Sequence, residues 1–252
     1  MKIIREEGDS MLIRFIVSNF LSFNTEQEFS MNTGQTRQYK DRVEETNDLS
    51  LLKFAALYGA NASGKSNFVK AIDFSKKIIV DGIDDMNYED MHYKLDPKNI
   101  EKPTKFEYEI KIKNKYYAFG FNVDLKNKRI LNEWLVELSP RGDHLIYERS
   151  IEDNYSKHDL EFDEETTKAK LEFLLEDANN IENTLLITEI NRRKSNPDSF
   201  KIFENIFSWF DNKLEVIYPD SVMHEMTKIF KNRDVNLINV TNLRRLDNNR
   251  IM

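Results

Sequence analysis

Phe54-Ala55-Ala56-Leu57-Tyr58-Gly59-Ala60-Asn61-Ala62-Ser63-Gly64-Lys65-Ser66-Asn67 is the stretch around which this chain is organised. It sets Gly59, Gly64, Lys65 and Ser66 in the spacing G-x-x-x-x-G-K-S, the Walker A or P-loop pattern. Phe54 to Tyr58 is an apolar run that predicts a short buried strand ending at Gly59. From Ser66 onward, Phe68, Val69, Ile72, Ile79 and Val80 recur near helical spacing. Strand, glycine loop and helix is the order that phosphate binding requires. The loop turns sharply and aims successive backbone N–H groups at a phosphate, and the helix start adds unpaired N–H groups and a positive dipole end. In that pattern Lys65 supplies a point charge for the outer phosphates and the Ser66 hydroxyl ligates Mg²⁺. The candidate nucleotide-binding set is therefore Gly59, Ala60, Asn61, Ala62, Ser63, Gly64, Lys65, Ser66 and Asn67, with Ser66 as the candidate metal ligand. An ordinary strand-to-helix turn holding Gly and Lys by chance is the competing explanation. It fits poorly with a chain that has only seven glycines.

The 252 residues are 40% hydrophobic and 32% charged, enough to bury a core in one large or two small domains. There is no cysteine, which excludes disulfides and thiolate metal sites and fits a reducing cytoplasm. His92, His144, His158 and His224 lack ligand spacing; Lys228 stands where a zinc-protease helix beginning at His224-Glu225 would need its second histidine. The net charge of −7 argues against attraction of nucleic acid over the whole surface and leaves only a local basic patch open. No apolar run approaches the roughly 20 residues that cross a bilayer, so no membrane partner is expected. Residues 1–10 are too acidic for a signal peptide, and Glu6-Glu7-Gly8 has the purine-rich coding of a ribosome-binding site ahead of Met11. Met11 is thus expected to be the natural start, with residues 1–10 a translated leader.

From Met11 the chain alternates as a strand, with Ile13, Phe15 and Val17 on one side, and a second strand is expected around Glu26 to Met31. Residues 32–50 are polar and predict a mobile loop; Asp81 to Asp96 is acidic and irregular. Residues 105–149 carry a clean period of two. Phe106, Tyr108, Ile110 and Ile112 alternate with charged residues, and Tyr117, Phe119, Phe121 and Val123 alternate back after Lys113-Asn114-Lys115. Ile130 to Leu138 and His144 to Glu148 complete an antiparallel meander with one wet face, whose aromatics read as core rather than as a base-stacking platform. Beyond residue 150, Thr166 to Asn179 predicts a helix, Asn183 to Ile190 a buried strand, Phe200 to Phe210 an amphipathic helix and Leu214 to Tyr218 a short strand. The tail from His224 reads first as helix. Arg192-Arg193-Lys194 and Arg244-Arg245 are the basic clusters worth testing, with a solvated surface as the default reading.

An ATPase also needs a carboxylate at the end of a second apolar strand to hold the Mg²⁺ shell, and a group that orients water. Asp81 after Ile78-Ile79-Val80 ends the P-loop helix itself, and Asp177 after Leu174-Leu175-Glu176 lies in a helical pattern, so both read as decoys and no catalytic residue is assigned. No glycine follows Gly142 and no glutamine follows Gln38.

Met11-Leu12-Ile13-Arg14-Phe15-Ile16-Val17-Ser18-Asn19-Phe20-Leu21-Ser22-Phe23, followed by Leu57 to Asn67, resembles the bacterial ABC-type AAA ATPases, relatives of the RecF, SMC and overcoming-lysogenisation (OLD) proteins. The similarity is greatest to the abortive-infection ATPases of the AbiL/RloA kind. Tyr93 to Pro97, Lys102 to Glu107, Tyr117 to Phe121 and Glu133 to Leu135 add to it, so that it spans about residues 11–220. The resemblance implies an α/β (α+β) ABC-like head with an antiparallel β-meander subdomain and a partly helical C-terminal portion. The N-terminal lobe would cover 11–165, and 166–252 would lead towards a second half of the core. In such proteins two heads sandwich two ATPs, each P-loop facing the other head's signature motif. The resemblance adds Asn19 and Phe20 to the nucleotide-binding candidates. It sets Leu21 where relatives often carry a basic residue. It also places a Mg²⁺-ligating loop glutamine near Thr188 to Asn191, where only Glu189 or Asn191 could stand in.

Two functions of different class follow as expectations. The first is an ATP-binding head that dimerises on nucleotide and hydrolyses Mg-ATP when complete, coupled to an effector such as a nuclease in anti-phage defence. The second is a truncated or split regulatory subunit that binds nucleotide and docks a partner chain supplying the missing motifs. A small-molecule kinase is disfavoured, because residues 105–149 are spent on an antiparallel sheet.

Overall fold

The structure, a computed structural model, describes residues 10–33, 40–46, 48–83, 90–193 and 197–218, and the backbone of one further strand at 236–239. Its main body is a seven-stranded sheet made from β1 (Met11–Ser18), β2 (Gln27–Ser30), β5 (Thr104–Ile112), β6 (Lys115–Asp124), β7 (Arg129–Leu138), β8 (His144–Ser150) and β9 (Tyr155–Lys157). The spatial order is β2-β1-β5-β6-β7-β8-β9, and every pairing is antiparallel. The meander follows the alternation of its sequence. Its tight turns place Lys113 and Lys128 at φ of 55° and 56°, in the left-handed region.

Cross-strand rows build the inner face. One row pairs Phe15 with Tyr108, Tyr108 with Phe119, Phe119 with Leu135 and Leu135 with Tyr147. Against this face pack α1 (Lys65–Asp81), α2 (Glu165–Asn179), α3 (Leu186–Arg192) and α4 (Lys201–Ser208), the last continued by a π-helical turn over Trp209–Lys213. One hydrophobic core runs through all of them, from Leu12 to Leu214. Period 3.6 explains α1, whose Val69, Ile72, Phe74, Ile78 and Ile79 face the sheet, with Phe74 5.0 Å from the ring of Phe20.

The outer face is less wet than its alternation predicts. Gly120 sits opposite Trp134, whose ring would lie 2.3 Å from a Cβ at that position, so the indole lies flat over β6. Lys105 places its ammonium 5.7 Å from the Trp134 ring centroid. At the other end Ile13, Leu51 and Tyr116 form a small second cluster under the hairpin β3 (Val43–Glu45) and β4 (Ser50–Leu52). This hairpin corrects the expectation of a mobile loop over residues 32–50, as far as those residues are described: the buried Leu51 anchors it.

Two further expectations are overturned. Asn183 to Ile190 is no buried strand; Leu186 onward is helix α3. The apolar run Phe54 to Tyr58 is not a buried strand either. Among the described residues it makes no backbone hydrogen bond, and Phe54 and Tyr58 are 74% and 82% exposed. The P-loop helix, the strand at the second position and the strand β10 (Leu214–Ile217) are as expected, and β10 pairs in parallel with β11 (Asn236–Asn239). The expected helix from His224, the cluster Arg244-Arg245 and most of the leader lie outside the described residues.

The buried tyrosines make a pH prediction. The Tyr108 hydroxyl lies 2.6 Å from Ser75 Oγ, and burial pushes its pKa well up; burial, then the nearby Glu133 carboxylate, does the same to Tyr147. Both hold their protons in the fold, whereas an unfolded tyrosine loses its own near pH 10 or about there. Their contribution is complete below that value and falls as pH rises above it. Denaturant midpoints should therefore drop steeply on the alkaline side, and Tyr108→Phe should flatten that drop.

Candidate nucleotide-binding site

Gly64 is the residue on which the loop turns. It caps α1 from the left-handed region, at φ 93° and ψ −1°, where a side chain is strained. Ala62 is also left-handed, at φ 64°, and Ser63 N donates to Ala60 O at 3.2 Å. These turns bend residues 59–64 back on themselves, as a phosphate cradle requires. The first turn of α1 contains no acidic residue, so no side chain of that turn neutralises the positive end of the helix dipole. Ser66 lies exposed on that turn, where a hydroxyl could ligate a metal ion held by phosphate oxygens. Lys65 is folded inward: its ammonium donates to Gly59 O at 2.9 Å, Ala60 O at 2.8 Å and Ser63 Oγ at 3.3 Å.

The turn after β1 comes against this loop. Phe20 N donates to Phe23 O at 3.0 Å and Phe23 N to Phe20 O at 2.8 Å, so that residues 20–23 close on themselves. A Cβ on Gly64 would stand 3.0 Å from Ser22 Oγ and 3.5 Å from the Phe23 ring. Ser22 and Phe23 thus form the wall beside the helix start, and they belong to the stretch Asn19 to Phe23 that the family resemblance sets close to the nucleotide. Gly64→Ala combines a forbidden φ with that close wall. It is expected to weaken nucleotide binding by an order of magnitude or so, at a cost of about 1–3 kcal/mol in loop strain, and a titration of the variant with Mg-ATP measures it.

Asn19 and Phe20 stand one layer behind. The Asn19 amide donates to Asn99 O and Lys102 O, both at 2.8 Å, its carbonyl oxygen accepts from Tyr93 N at 3.2 Å, and its backbone oxygen accepts from Thr104 Oγ1 at 2.7 Å. Its left-handed φ of 49° explains asparagine there. Asn19 ties the loop that carries Tyr93 and the turn at residues 97–101 to the end of β1, while Phe20 is fully buried between Phe74 and Phe106. Leu21 adopts φ 47° and donates its N–H to Met91 O at 2.7 Å.

The candidates for metal ligation near Thr188 to Asn191 fall at the wrong end of α1. Thr188 Oγ1 donates to Ile79 O at 2.6 Å, fourteen residues along the helix from Lys65, which is about 21 Å at the α-helical rise. Glu189 pairs with Arg192 at 3.0 Å, and the Asn191 amide donates to Ile187 O and Phe203 O. Asp81 ends α1, and Asp177 pairs with Arg193 at 3.0 Å, so neither reaches the loop. The basic cluster has structural work as well: Arg192 also donates to Asp81 O at 2.8 Å and caps the C-terminus of α1, while Lys194 lies outside the described residues.

A glycine-capped loop that feeds a lysine and a serine into the first turn of a buried amphipathic helix defines a P-loop nucleotide-binding protein. The family is narrower than the class. Residues 54–217, well over half of the chain, match the family described as "AAA domain, putative AbiEii toxin, Type IV TA system", and the chain belongs to it. This supports the AAA-family ATPase resemblance with its abortive-infection association, and the mixed α/β fold, with a large antiparallel sheet and four α-helices among the described residues, agrees with it. No curated protein matches the chain. No helix among the described residues is long and apolar enough to cross a membrane.

Proposed function

We propose that this chain is an ATP-binding head of the ABC/SMC-like type. In this reading it binds Mg-ATP at Gly59–Asn67, dimerises on nucleotide, hydrolyses ATP once a partner surface completes the site, and serves an anti-phage, abortive-infection response. The observation that carries the binding step is the left-handed Gly64 at the head of an α1 whose first turn holds Lys65 and Ser66 and no acid. Bound ATP supplies its phosphates as ligands for Mg²⁺. The chain's own part is to present N–H groups and the Lys65 ammonium to the outer phosphates and the Ser66 hydroxyl to the metal. Among the described residues no carboxylate hydrogen-bonds or ion-pairs with Lys65, and the sequence assigns none a water-orienting role, so the isolated chain is expected to bind and not to turn over.

A specific observation favours the second reading, a nucleotide-binding regulatory subunit that docks another chain. Phe54, Leu57 and Tyr58 are exposed immediately before Gly59, on a backbone without hydrogen-bond partners among the described residues, which is the condition for pairing with an added strand. A titration with labelled ATP in the presence and absence of Mg²⁺, with phosphate release followed in parallel, tests both. Binding without release supports either reading, and mass-calibrated chromatography with ATP then separates a homodimer from a monomer awaiting a partner. Failure to bind ATP at millimolar concentration sinks both.

A further inference from the structure

We propose that Lys65 is held retracted inside its own loop and that Ser63 is the positioning residue that keeps it there, as a brake on phosphate entry. The proposal rests on the phosphate-binding reading above. An ammonium has three donors and no acceptor. All three find partners in the loop: Gly59 O at 2.9 Å, Ala60 O at 2.8 Å and Ser63 Oγ at 3.3 Å. A polyphosphate needs the same donors. It must therefore compete with the loop for its own lysine.

Two of the three acceptors are backbone oxygens, present whatever the side chains are. Ser63 is the adjustable one, and it does more than accept. Its hydroxyl stands 2.6 Å from where a Cβ of Gly59 would be, so it reaches across from the outgoing limb of the loop to the incoming one. With Ser63 N on Ala60 O at 3.2 Å, the same residue closes the turn and covers the retracted ammonium. Glycine at 59 is what makes this crossing possible, which gives Gly59 a reason beyond phosphate approach. When a site's competent form is a minor population, apparent affinity falls by that fraction. Removing one hydrogen bond to a charged donor frees the competent form by roughly three- to tenfold at an exposed site. Ser63 is exposed, so its replacement does not threaten the core.

The experiment compares the wild-type chain with Ser63→Ala and Ser63→Thr in two measurements. One is the Mg-ATP titration. The other is the rate at which Lys65 is acetylated by an amine-reactive reagent without nucleotide, read by peptide mass spectrometry. Ser63→Ala is expected to bind Mg-ATP about three- to tenfold tighter and to label Lys65 faster by a similar factor, and Ser63→Thr, which restores the hydroxyl, is expected to return both to wild type. Unchanged or weaker binding by Ser63→Ala overturns the brake. So does a labelling rate unchanged from wild type. If the wild-type chain binds no ATP, the function proposed above fails, and the labelling contrast alone decides whether Ser63 holds Lys65.

Discussion

Lys65→Ala is expected to weaken Mg-ATP binding by about a hundredfold or more while leaving the thermal midpoint almost unchanged. Two charge-assisted hydrogen bonds to phosphate oxygens are worth about 1.5–3 kcal/mol each, and every 1.4 kcal/mol or so is a factor of ten. Stability should be spared because the contacts of Lys65 are with Gly59, Ala60 and Ser63, all on the exposed loop, and not with the core. Lys65→Arg should recover little of the loss, since a planar guanidinium does not reproduce the compact point charge that an ammonium presents to the outer phosphates. Isothermal titration of the three proteins measures this directly. Equal ATP affinity in wild type and Lys65→Ala would remove Gly59–Ser66 from consideration as the nucleotide site.

The largest loss of stability is expected away from the loop, at Arg149. Glu133 and Arg149 are fully or almost fully buried and face each other across β7 and β8, with Arg149 Nε on Glu133 Oε2 at 2.9 Å. The guanidinium also donates to Ala178 O at 2.5 Å and Thr184 O at 2.6 Å, which joins the end of α2 and the approach to α3 to the sheet. Glu133 in turn accepts the hydroxyl of Tyr147 and the N–H groups of Leu186, at 2.8 Å, and Ile187, at 3.3 Å. Taking one partner away leaves the other charge buried and unmatched, at a cost of about 3–5 kcal/mol. For a chain of this size that is a fall of roughly 10 °C in the thermal midpoint of Arg149→Met. The double variant Glu133→Gln with Arg149→Met should lose less than Arg149→Met alone, because no carboxylate is then left unpaired. Chemical denaturation of the wild type, both single variants and the double variant checks both statements, and a double loss equal to the sum of the two single losses would show that the pair is not coupled.

The same network explains where the sequence was legible and where it was not. The meander could be read because its signals are local: alternation along each strand, and turn residues such as Lys113-Asn114 between them. The helix α1 and the loop before it were legible for the same reason. Asn183 to Ile190 reads as a strand because Leu185-Leu186-Ile187 is a short apolar run, which periodicity alone does not assign. What makes it helix is a carboxylate 53 residues upstream: Glu133 supplies the acceptor for the first N–H groups of α3, and no local window contains it. Phe54 to Tyr58 failed in the opposite sense. Its composition asks for burial, but burial of a strand before a glycine loop depends on neighbouring strands, and among the described residues none lies beside it. Asn19 shows a third limit. Its sequence neighbourhood gave its importance, yet only the fold shows that its amide is spent on Asn99 and Lys102.

The unequal fastening of α1 has a mechanical consequence. At its far end the helix is gripped by Thr188 on Ile79 O, by Arg192 on Asp81 O and by Gly82, whose N–H closes on Ile78 O while Ile83 N donates to Asn183 O. At its near end the loop and the Ser22-Phe23 turn adjoin it, and the Phe68 ring packs on Phe15 and Phe29, 5.7 and 5.0 Å between centroids. It is a beam of about 25 Å, bedded on the sheet from Phe68 onward and tied by side-chain hydrogen bonds to backbone oxygens at its far end. A load applied at Gly64 therefore does not stay there. It passes through Phe68 and Phe74 into the sheet, and along the helix to the ties at Thr188 and Arg192, where α3 hangs from Glu133.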